Sequence, residues 1–317
     1  MKTIQLGNLT LPPIALGTWS WGTGINGGNA VFGNHYEESD LKPVFNEAMK
    51  HDLTLWDTAA VYGFGASETI LGHFIRGSSG TILSTKFTPL FLQGKNAMYR
   101  SLNKSLLRLN ADYADIYWIH NPDNVEKWTK CAIPLLQSGK IKHLGVSNHS
   151  LAQVRQADAI LRAAGFRVSA VQNHYSLLYR NSEDSGILNW CREQGIPFFA
   201  YMIYEQGALT GRYSAANPFP KKTRRGNAYP PEVLSKIEGL LGTLWQVAEA
   251  HQATVAQIVL AWAIYKGTVP LIGVTKTHHV TEAAAALNIT LSGEEISLIE
   301  AVAKQTGVKI PCGWEKQ

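Results

Sequence analysis

The stretch Ala114–Asn148, ADIYWIHNPDNVEKWTKCAIPLLQSGKIKHLGVSN, contains one complete strand–helix–strand pattern. The apolar run Ala114–Ile119 predicts a buried strand, and the periodic apolar residues of Asn124–Leu136 predict an amphipathic helix. A second apolar run at His143–Val146 predicts a strand parallel to the first, because a helical crossover brings the chain back along the same sheet. The unit therefore predicts an α/β protein.

The same unit recurs in both directions along the chain. Strand-like runs are predicted at Ile14–Leu16, Leu53–Trp56, Thr81–Thr85, Ala114–Ile119, His143–Val146, Val168–Val171, Pro197–Tyr201 and Val269–Ile272. Helical patterns lie between them at Glu38–His51, Asn96–Leu109, Asn124–Leu136, Leu151–Ala163, Glu183–Glu193, Val255–Tyr265 and Val280–Ala286. Eight such units predict closure into a (β/α)8 TIM barrel.

Two features are added to this repeat. Thr3–Leu6 and Leu9–Leu11 flank a Gly-Asn pair and predict an N-terminal β-hairpin. Tyr213–Pro231 is rich in Pro, Gly and basic residues, and it predicts an inserted loop before an extra helix. No linker divides the chain, so residues 1–317 are predicted to form a single domain.

A doubly wound sheet is the competing α/β fold. It would require a G-x-G-x-x-G turn after the first strand. Gly17-Thr18-Trp19-Ser20-Trp21-Gly22 lacks that spacing, which favours the barrel.

Composition excludes several classes of protein. Of the 317 residues, 45% are hydrophobic and 17% are charged, so the chain can bury a large core and is not of the disordered type. The three cysteines lie far apart, without disulfide or metal-site spacing. The N-terminus lacks a signal-peptide pattern, and no apolar run approaches the ~20 residues of a membrane span. We therefore expect a cytoplasmic protein with no membrane partner.

The net charge of +5 is concentrated in one segment, where Lys221, Lys222, Arg224 and Arg225 lie within five positions. A nucleic-acid binder would need a basic stripe interleaved with aromatic residues. We interpret the segment as a solvated loop that also helps to attract an anionic cofactor, and we expect no nucleic-acid partner.

Polar side chains stand where the predicted strands end. They are Asp57, Lys86, His120, Ser147, Asn148, Gln172, Asn173 and Tyr201, with Tyr62 just beyond Asp57. Each alone has a simple structural explanation, such as capping the next helix. In a TIM barrel, however, these strand ends form the face that carries the active site. Together the residues therefore indicate a catalytic site.

The motifs around these positions resemble those of the aldo-keto reductase superfamily over nearly the whole chain. The matching stretches are Leu16–Trp19, Asp57–Ala59 with Tyr62-Gly63, Gly65–Glu68, Ser84–Phe87, Asp115–His120, Gly139–Ile141, Gly145–Asn148, Val171–Asn173, Gln206–Gly211 and Ile272–Lys276. The resemblance implies an NADPH-dependent oxidoreductase that reduces an aldehyde or ketone, reversibly, to an alcohol.

The resemblance implies four catalytic residues, Asp57, Tyr62, Lys86 and His120. Tyr62 is expected to be the general acid, since a cation close to a phenol favours its ionised form and Lys86 would supply that cation. Asp57 would hold Lys86 charged and oriented. His120 would place the carbonyl oxygen and donate to it as negative charge develops.

The resemblance also implies the cofactor site. Ser147, Asn148 and Gln172 would hold the nicotinamide carboxamide, and the nicotinamide ring would stack on Tyr201. Further cofactor-binding residues implied by it are Gly17, Thr18, Trp19, Asp57, Gly207, Gly273, Thr275, Lys276, His279 and Glu282.

Lys276 is expected to read the 2′-phosphate of NADPH, with help from His279. Because histidine gains charge at lower pH, we expect the NADPH preference to be stronger at pH 6 than at pH 8. Two departures from the family pattern are Ala283, where the usual residue is Asn, and Met202–Glu205, where many relatives carry Ser-Pro-Leu.

Substrate contacts are expected from loops. The candidates are Trp19, Trp21, Phe87, Phe91, His120, Asn121 and the C-terminal Cys312-Gly313-Trp314. Trp118 shares strand parity with His120, so it is expected to fill the barrel core instead.

Two other functions are weighed against reduction of a small-molecule carbonyl compound. A cofactor-binding regulatory subunit with little turnover would keep the fold, but the intact catalytic four argue for an enzyme. A metal-dependent hydrolase would need clustered His, Asp and Glu ligands, so we expect no metal. The sequence leaves both a monomer and a homo-oligomer open.

Overall fold

Eight parallel strands form a closed barrel in the computed structural model, which describes residues 3–24 and 26–311. The barrel strands are β3 Ala15–Gly17, β4 Leu55–Asp57, β5 Ile82–Phe87, β6 Ala114–Ile119, β7 Ile141–Ser147, β8 Ala170–His174, β9 Phe198–Tyr201 and β10 Val269–Gly273, and they are preceded by the hairpin strands β1 Ile4–Leu6 and β2 Leu9–Leu11. Strands β3 to β10 follow chain order around the barrel, and β10 pairs with β3 to close it. The predicted (β/α)8 barrel is confirmed.

Helices surround the barrel. Within the described residues they are α1 Gly28–Phe32, α2 Glu38–Lys50, α3 Ala66–Ile75, α4 Ala97–Leu109, α5 Val125–Gln137, α6 Leu151–Arg162, α7 Asn181–Asp184, α8 Ile187–Gln194, α9 Arg224–Ala228, α10 Pro231–Lys236, α11 Glu238–Ala250, α12 Val255–Tyr265, α13 Thr277–Ala286 and α14 Gly293–Gln305. Capping boxes start several of them, as at Ser150 with Gln153 and at Ser292 with Glu295.

The predicted hairpin and barrel core are both present. Strands β1 and β2 pair antiparallel, and Leu6 and Leu11 pack with barrel-lining residues such as Leu55 and Ile116. Trp118 lies in the same cluster, and its indole N–H donates 2.6 Å to the Ser84 hydroxyl. The interior of the barrel is therefore filled, as predicted for Trp118.

Two predicted elements differ from the structure. The helix predicted at Glu183–Glu193 is divided into α7 and α8, because Gly186 adopts a left-handed conformation with φ +81° between them. The segment predicted as an irregular loop contains the short helix α9, whose N-terminal cap is the Thr223 hydroxyl.

Candidate active site

A cavity of about 750 Å³ opens at the C-terminal ends of the barrel strands. Its lining includes most of the predicted site residues: Gly17, Trp19, Asp57, Tyr62, His120, Ser147, Asn148, Gln172, Tyr201, Gly207, Gly273, Thr275, Lys276, His279 and Glu282. The parallel barrel explains this convergence, because it presents every strand end on one face.

Asp57 and Lys86 form a buried ion pair at the floor of the cavity, with side chains 2% and 1% exposed. The Lys86 ammonium donates to the Asp57 carboxylate and, at 2.9 Å, to the Thr58 carbonyl oxygen. Ser84 and Gln172 donate to the other carboxylate oxygen at 2.6 and 3.3 Å. Burial lowers the pKa of Lys86, while the Asp57 carboxylate opposes that shift. The pair therefore places an oriented cation under the cavity.

The Tyr62 hydroxyl lies 3.5 Å from the Lys86 nitrogen. Tyr62 begins a short 3₁₀ segment after β4, and the chain turns immediately through left-handed conformations at Gly63 and Phe64. The Trp19 ring stacks over Tyr62 with centroids 5.9 Å apart. These contacts hold the phenol between the lysine and the open cavity.

His120 follows β6 and contributes a neutral imidazole to the same place. Its ring lies edge-on to Tyr62, with centroids 6.1 Å apart. Burial, and secondarily the nearby Lys86 charge, lower the pKa of His120 to about 3. The Thr88 hydroxyl lies 2.9 Å from His120 Nδ1. When that hydroxyl donates to Nδ1, the ring proton is on Nε2, the nitrogen available to donate to a ligand.

A second group of polar side chains follows β7, β8 and β9. The Asn148 amide donates 2.8 Å to the His120 carbonyl oxygen, and its own oxygen accepts from the Tyr201 hydroxyl at 2.5 Å. Ser147 and Gln172 stand beside it in the cavity wall. Amide and hydroxyl groups thus converge next to the Tyr201 ring. This is the arrangement expected of a site that binds the carboxamide of a nicotinamide and stacks its ring on Tyr201.

Lys276 and Glu282 lie at the far end of the cavity, around the start of α13. His279 Nδ1 accepts a hydrogen bond of 3.2 Å from the Thr275 backbone N–H. Burial, followed by the charges of nearby cationic groups, lowers the pKa of His279 to about 4. The imidazole is therefore neutral from pH 6 to pH 8. On this basis we expect no gain in phosphate binding from His279 at pH 6, contrary to the expectation from the sequence.

Several predicted ligand contacts lie elsewhere. Trp21 is buried against Trp56, and its indole N–H donates to the Val274 carbonyl oxygen. Phe87 is buried against Trp128, so both substrate predictions are wrong. Thr18 is also buried, with its hydroxyl on the Asp57 carbonyl oxygen, and is not a wall residue.

The remaining predicted substrate contacts are Asn121, Phe91 and the C-terminal stretch Cys312-Gly313-Trp314. The Asn121 amide donates 3.4 Å to the Pro89 carbonyl oxygen outside the described cavity wall. Phe91 is 87% exposed in the loop after β5. The stretch Cys312-Gly313-Trp314 lies outside the described residues.

The cavity wall also contains residues that sequence reasoning missed, among them Phe32, Tyr36, Arg212 and Trp245, and it includes Arg225 of the basic segment that was expected to help attract an anionic cofactor. Arg212 directly follows the matched stretch that ends at Gly211, which is the signal that could have identified it. Phe32 in α1, Tyr36 before α2 and Trp245 in α11 all lie outside the elements whose bounds the sequence predicted.

Comparison with known proteins decides the family. The sequence model of the aldo/keto reductase family matches residues 13–304. The chain belongs to this family. It is 28% identical to the chloroplastic pyridoxal reductase of Arabidopsis thaliana, over 96% of this chain and 87% of that protein. It is 29% identical to an NADP(+) aldo-keto reductase of Schizosaccharomyces pombe, over 99% of this chain and 95% of that protein.

Solved structures agree with this assignment. An aldo/keto reductase from Klebsiella pneumoniae, solved in complex with NADP and acetate, superposes with a TM-score of 0.74 at 28% identity, over 99% of this chain and 98% of that one. The aldo-keto reductase described here is accordingly an NAD(P)H-dependent oxidoreductase.

Two kinds of feature, membrane-spanning helices and metal-binding clusters, are absent from the residues that the structure describes. None of the helices there combines the length and apolarity needed to cross a bilayer. Within the same residues, no group of three or more His, Cys, Asp or Glu side chains is arranged to hold a metal ion.

Proposed function

We propose that this aldo-keto reductase uses NADPH to reduce an aldehyde or ketone to an alcohol, reversibly, with Tyr62 as the general acid. One observation carries the proposal. The Tyr62 hydroxyl faces the cavity 3.5 Å from an ammonium group that is itself paired with a buried carboxylate. A nearby cation favours the ionised form of a phenol, so the hydroxyl gives up its proton more readily than in water.

The cavity fits NADPH in extent and chemistry. It runs from Tyr62 past Tyr201 to Lys276 and Glu282, and its volume of about 750 Å³ lies in the range of ligand sites. Asn148 and Gln172 offer amide groups to the carboxamide, Tyr201 offers an aromatic face, and Lys276 offers a cation to the 2′-phosphate. The NADP-bound relatives support the same cofactor.

Bound NADPH supplies a hydride to the carbonyl carbon. The protein's part is to place the carbonyl oxygen and neutralise its developing charge. The Tyr62 hydroxyl donates its proton to that oxygen, and Lys86 stabilises the resulting phenolate. His120, being neutral, donates a hydrogen bond through Nε2 without giving up its proton.

The substrate end of the cavity suits an apolar carbonyl compound. Trp19, Phe32 and Tyr36 line it beside Tyr62, with Trp19 and Phe32 packed edge-to-face at 5.3 Å. The relative named for pyridoxal supports an aldehyde as one substrate type.

The decisive experiment follows cofactor oxidation with a panel of aldehydes and ketones, using NADPH and NADH. Turnover with NADPH on at least one carbonyl is expected. Tight NADPH binding without turnover on any member would favour the regulatory-subunit alternative.

A further inference from the structure

A buried polar cluster lies directly behind Tyr201, outside the cavity wall. It consists of His174, Ser176, Tyr179, Glu205 and Tyr229, each at most 1% exposed. Burying a carboxyl group is costly unless hydrogen bonds replace its water. Because the desolvation of a carboxyl group costs free energy, a buried polar cluster next to the cavity suggests a functional role.

Glu205 is the centre of this Glu205 cluster. His174 Nε2 donates 2.8 Å to one carboxyl oxygen, and the Ser176 hydroxyl donates to the same oxygen. The Tyr229 hydroxyl donates to the other oxygen. These donors come from β8, from the turn after it and from the end of the 213–231 segment. One carboxylate therefore joins the barrel to that segment.

Glu205 also lies in a strained stretch of backbone. Met202, Glu205 and Gln206 all have positive φ, at +59°, +47° and +57°. Non-glycine residues in the left-handed region cost about 1–3 kcal/mol each and persist only when the surroundings fix them. Met202 and Gln206 line the cavity, as do their neighbours. The anchored Glu205 side chain is what fixes the shape of this wall.

His174 fixes the ring of Tyr201. The two rings stack with centroids 5.7 Å apart and planes 20° from parallel. Tyr179 stacks on His174 at 4.3 Å. The hydrogen bond to Glu205 sets the rotation of the imidazole, and the Asn148 oxygen holds the Tyr201 hydroxyl. Tyr201 is thus restrained at both its ring and its hydroxyl.

We propose that Glu205 and His174 are positioning residues for the cofactor: Glu205 holds wall residues 202–207 in their bound shape, and His174 holds the Tyr201 ring against which the nicotinamide lies. This inference rests on the proposed NADPH function. It also gives a role to the departure from Ser-Pro-Leu at Met202–Glu205, since an anchored glutamate replaces the rigidity of proline.

The test measures dissociation constants by calorimetry for two probes, NADPH and 2′-phospho-ADP-ribose, which lacks the nicotinamide. For His174→Gln, whose amide nitrogen can still donate to Glu205, we expect NADPH to bind about tenfold more weakly and 2′-phospho-ADP-ribose to bind within about twofold of native, because only the ring that stacks on Tyr201 is lost. For Glu205→Gln, we expect both probes to weaken about tenfold, because the whole wall loosens.

Tyr175→Phe is the matched control, since it removes a hydroxyl that donates 2.7 Å to a different carboxylate, Glu183, and Tyr175 belongs neither to the Glu205 cluster nor to the cavity wall. We expect it to lower the melting temperature and to leave both dissociation constants within about twofold of native. If Glu205→Gln does not fold, Tyr229→Phe, which removes only a hydroxyl, replaces it with the same expectation.

Native affinity for both probes in folded His174→Gln and Glu205→Gln, with only melting temperatures lowered, would make the cluster purely structural and overturn the proposal. Failure of the native protein to bind NADPH would instead refute the proposed function. The two failures are therefore separable.

Discussion

The Lys86 nitrogen lies 3.5 Å from the Tyr62 hydroxyl oxygen while remaining hydrogen-bonded to Asp57. Asp57 thus positions the Lys86 ammonium group, which in turn lies next to the Tyr62 hydroxyl. Lys86 is not part of the cavity wall, and Asp57 reaches it as a carboxylate paired with Lys86, so the phenol is the group of this trio that meets the cavity with a proton to donate. This geometry fits two proposed roles, proton donation by Tyr62 and charge stabilisation by Lys86, that substitutions can test separately.

Tyr62→Phe is expected to lower kcat by about 10²–10⁴-fold while leaving the NADPH dissociation constant nearly unchanged. The phenol proton is needed only as charge develops on oxygen, so the loss appears in the chemical step. Stopped-flow turnover and cofactor titration measure the two quantities. A variant with near-native kcat would remove Tyr62 from the acid role.

Lys86→Met is expected to abolish most activity and to destabilise the fold by about 3–5 kcal/mol, because Asp57 is left buried without its cation. Urea unfolding and steady-state kinetics measure the two losses. In the double variant Asp57→Asn/Lys86→Met, stability should recover and activity should not. If activity returned with stability, Lys86 would have only a structural role.

Lys276→Ala is expected to lower the NADPH-over-NADH ratio of kcat/KM by about ten- to a hundredfold, with little change for NADH. Lys304→Ala removes an exposed lysine outside the cavity and should leave the ratio unchanged. Since His279 is neutral above its pKa of about 4, the native preference should be no stronger at pH 6 than at pH 8. Equal losses for both cofactors would show that Lys276 does not read the phosphate.

His149 is expected to make the protein less stable in mild acid. Burial lowers its pKa to about 4, below the value of about 6.5 for an exposed histidine. As pH falls below about 6.5 the unfolded chain binds a proton that the folded chain does not, so stability declines, by at most ~1.4 kcal/mol per pH unit. Between pH 7 and pH 5, native protein should therefore lose up to about 2 kcal/mol more than His149→Gln in urea unfolding. Identical losses in the two proteins would contradict this.

The barrel could be predicted because its signal is periodic and local. Several strands are short apolar runs with a polar residue at or just after their end, such as Asp57 in β4 and His120 after β6, so the fold and the face that carries the site could both be predicted from the sequence. Predicted strand ends differed from the observed ones by up to three residues, as where β8 continues to His174. Hydrogen bonding between neighbouring strands sets these ends, and apolar runs do not record it.

Side-chain direction in irregular segments could not be predicted. Trp19 and Trp21 stand two positions apart in the same loop, yet Trp19 lines the cavity and Trp21 enters the core. A turn without repeating dihedral angles has no periodicity that would separate them. Specific contacts that no sequence pattern encodes also fix two other side chains: His279, whose Nδ1 accepts from the Thr275 N–H, and Glu205, whose partners come from distant parts of the chain.

The plugged barrel interior has a consequence for how such an enzyme can change over time. Trp118 and the β1–β2 hairpin make the scaffold solid beneath the site, while Trp19, Phe32 and Arg225 reach the cavity from loops and added helices. Insertions and substitutions in those loops leave the barrel packing unchanged. Selection can therefore change the range of substrates that the enzyme binds without destabilising the fold.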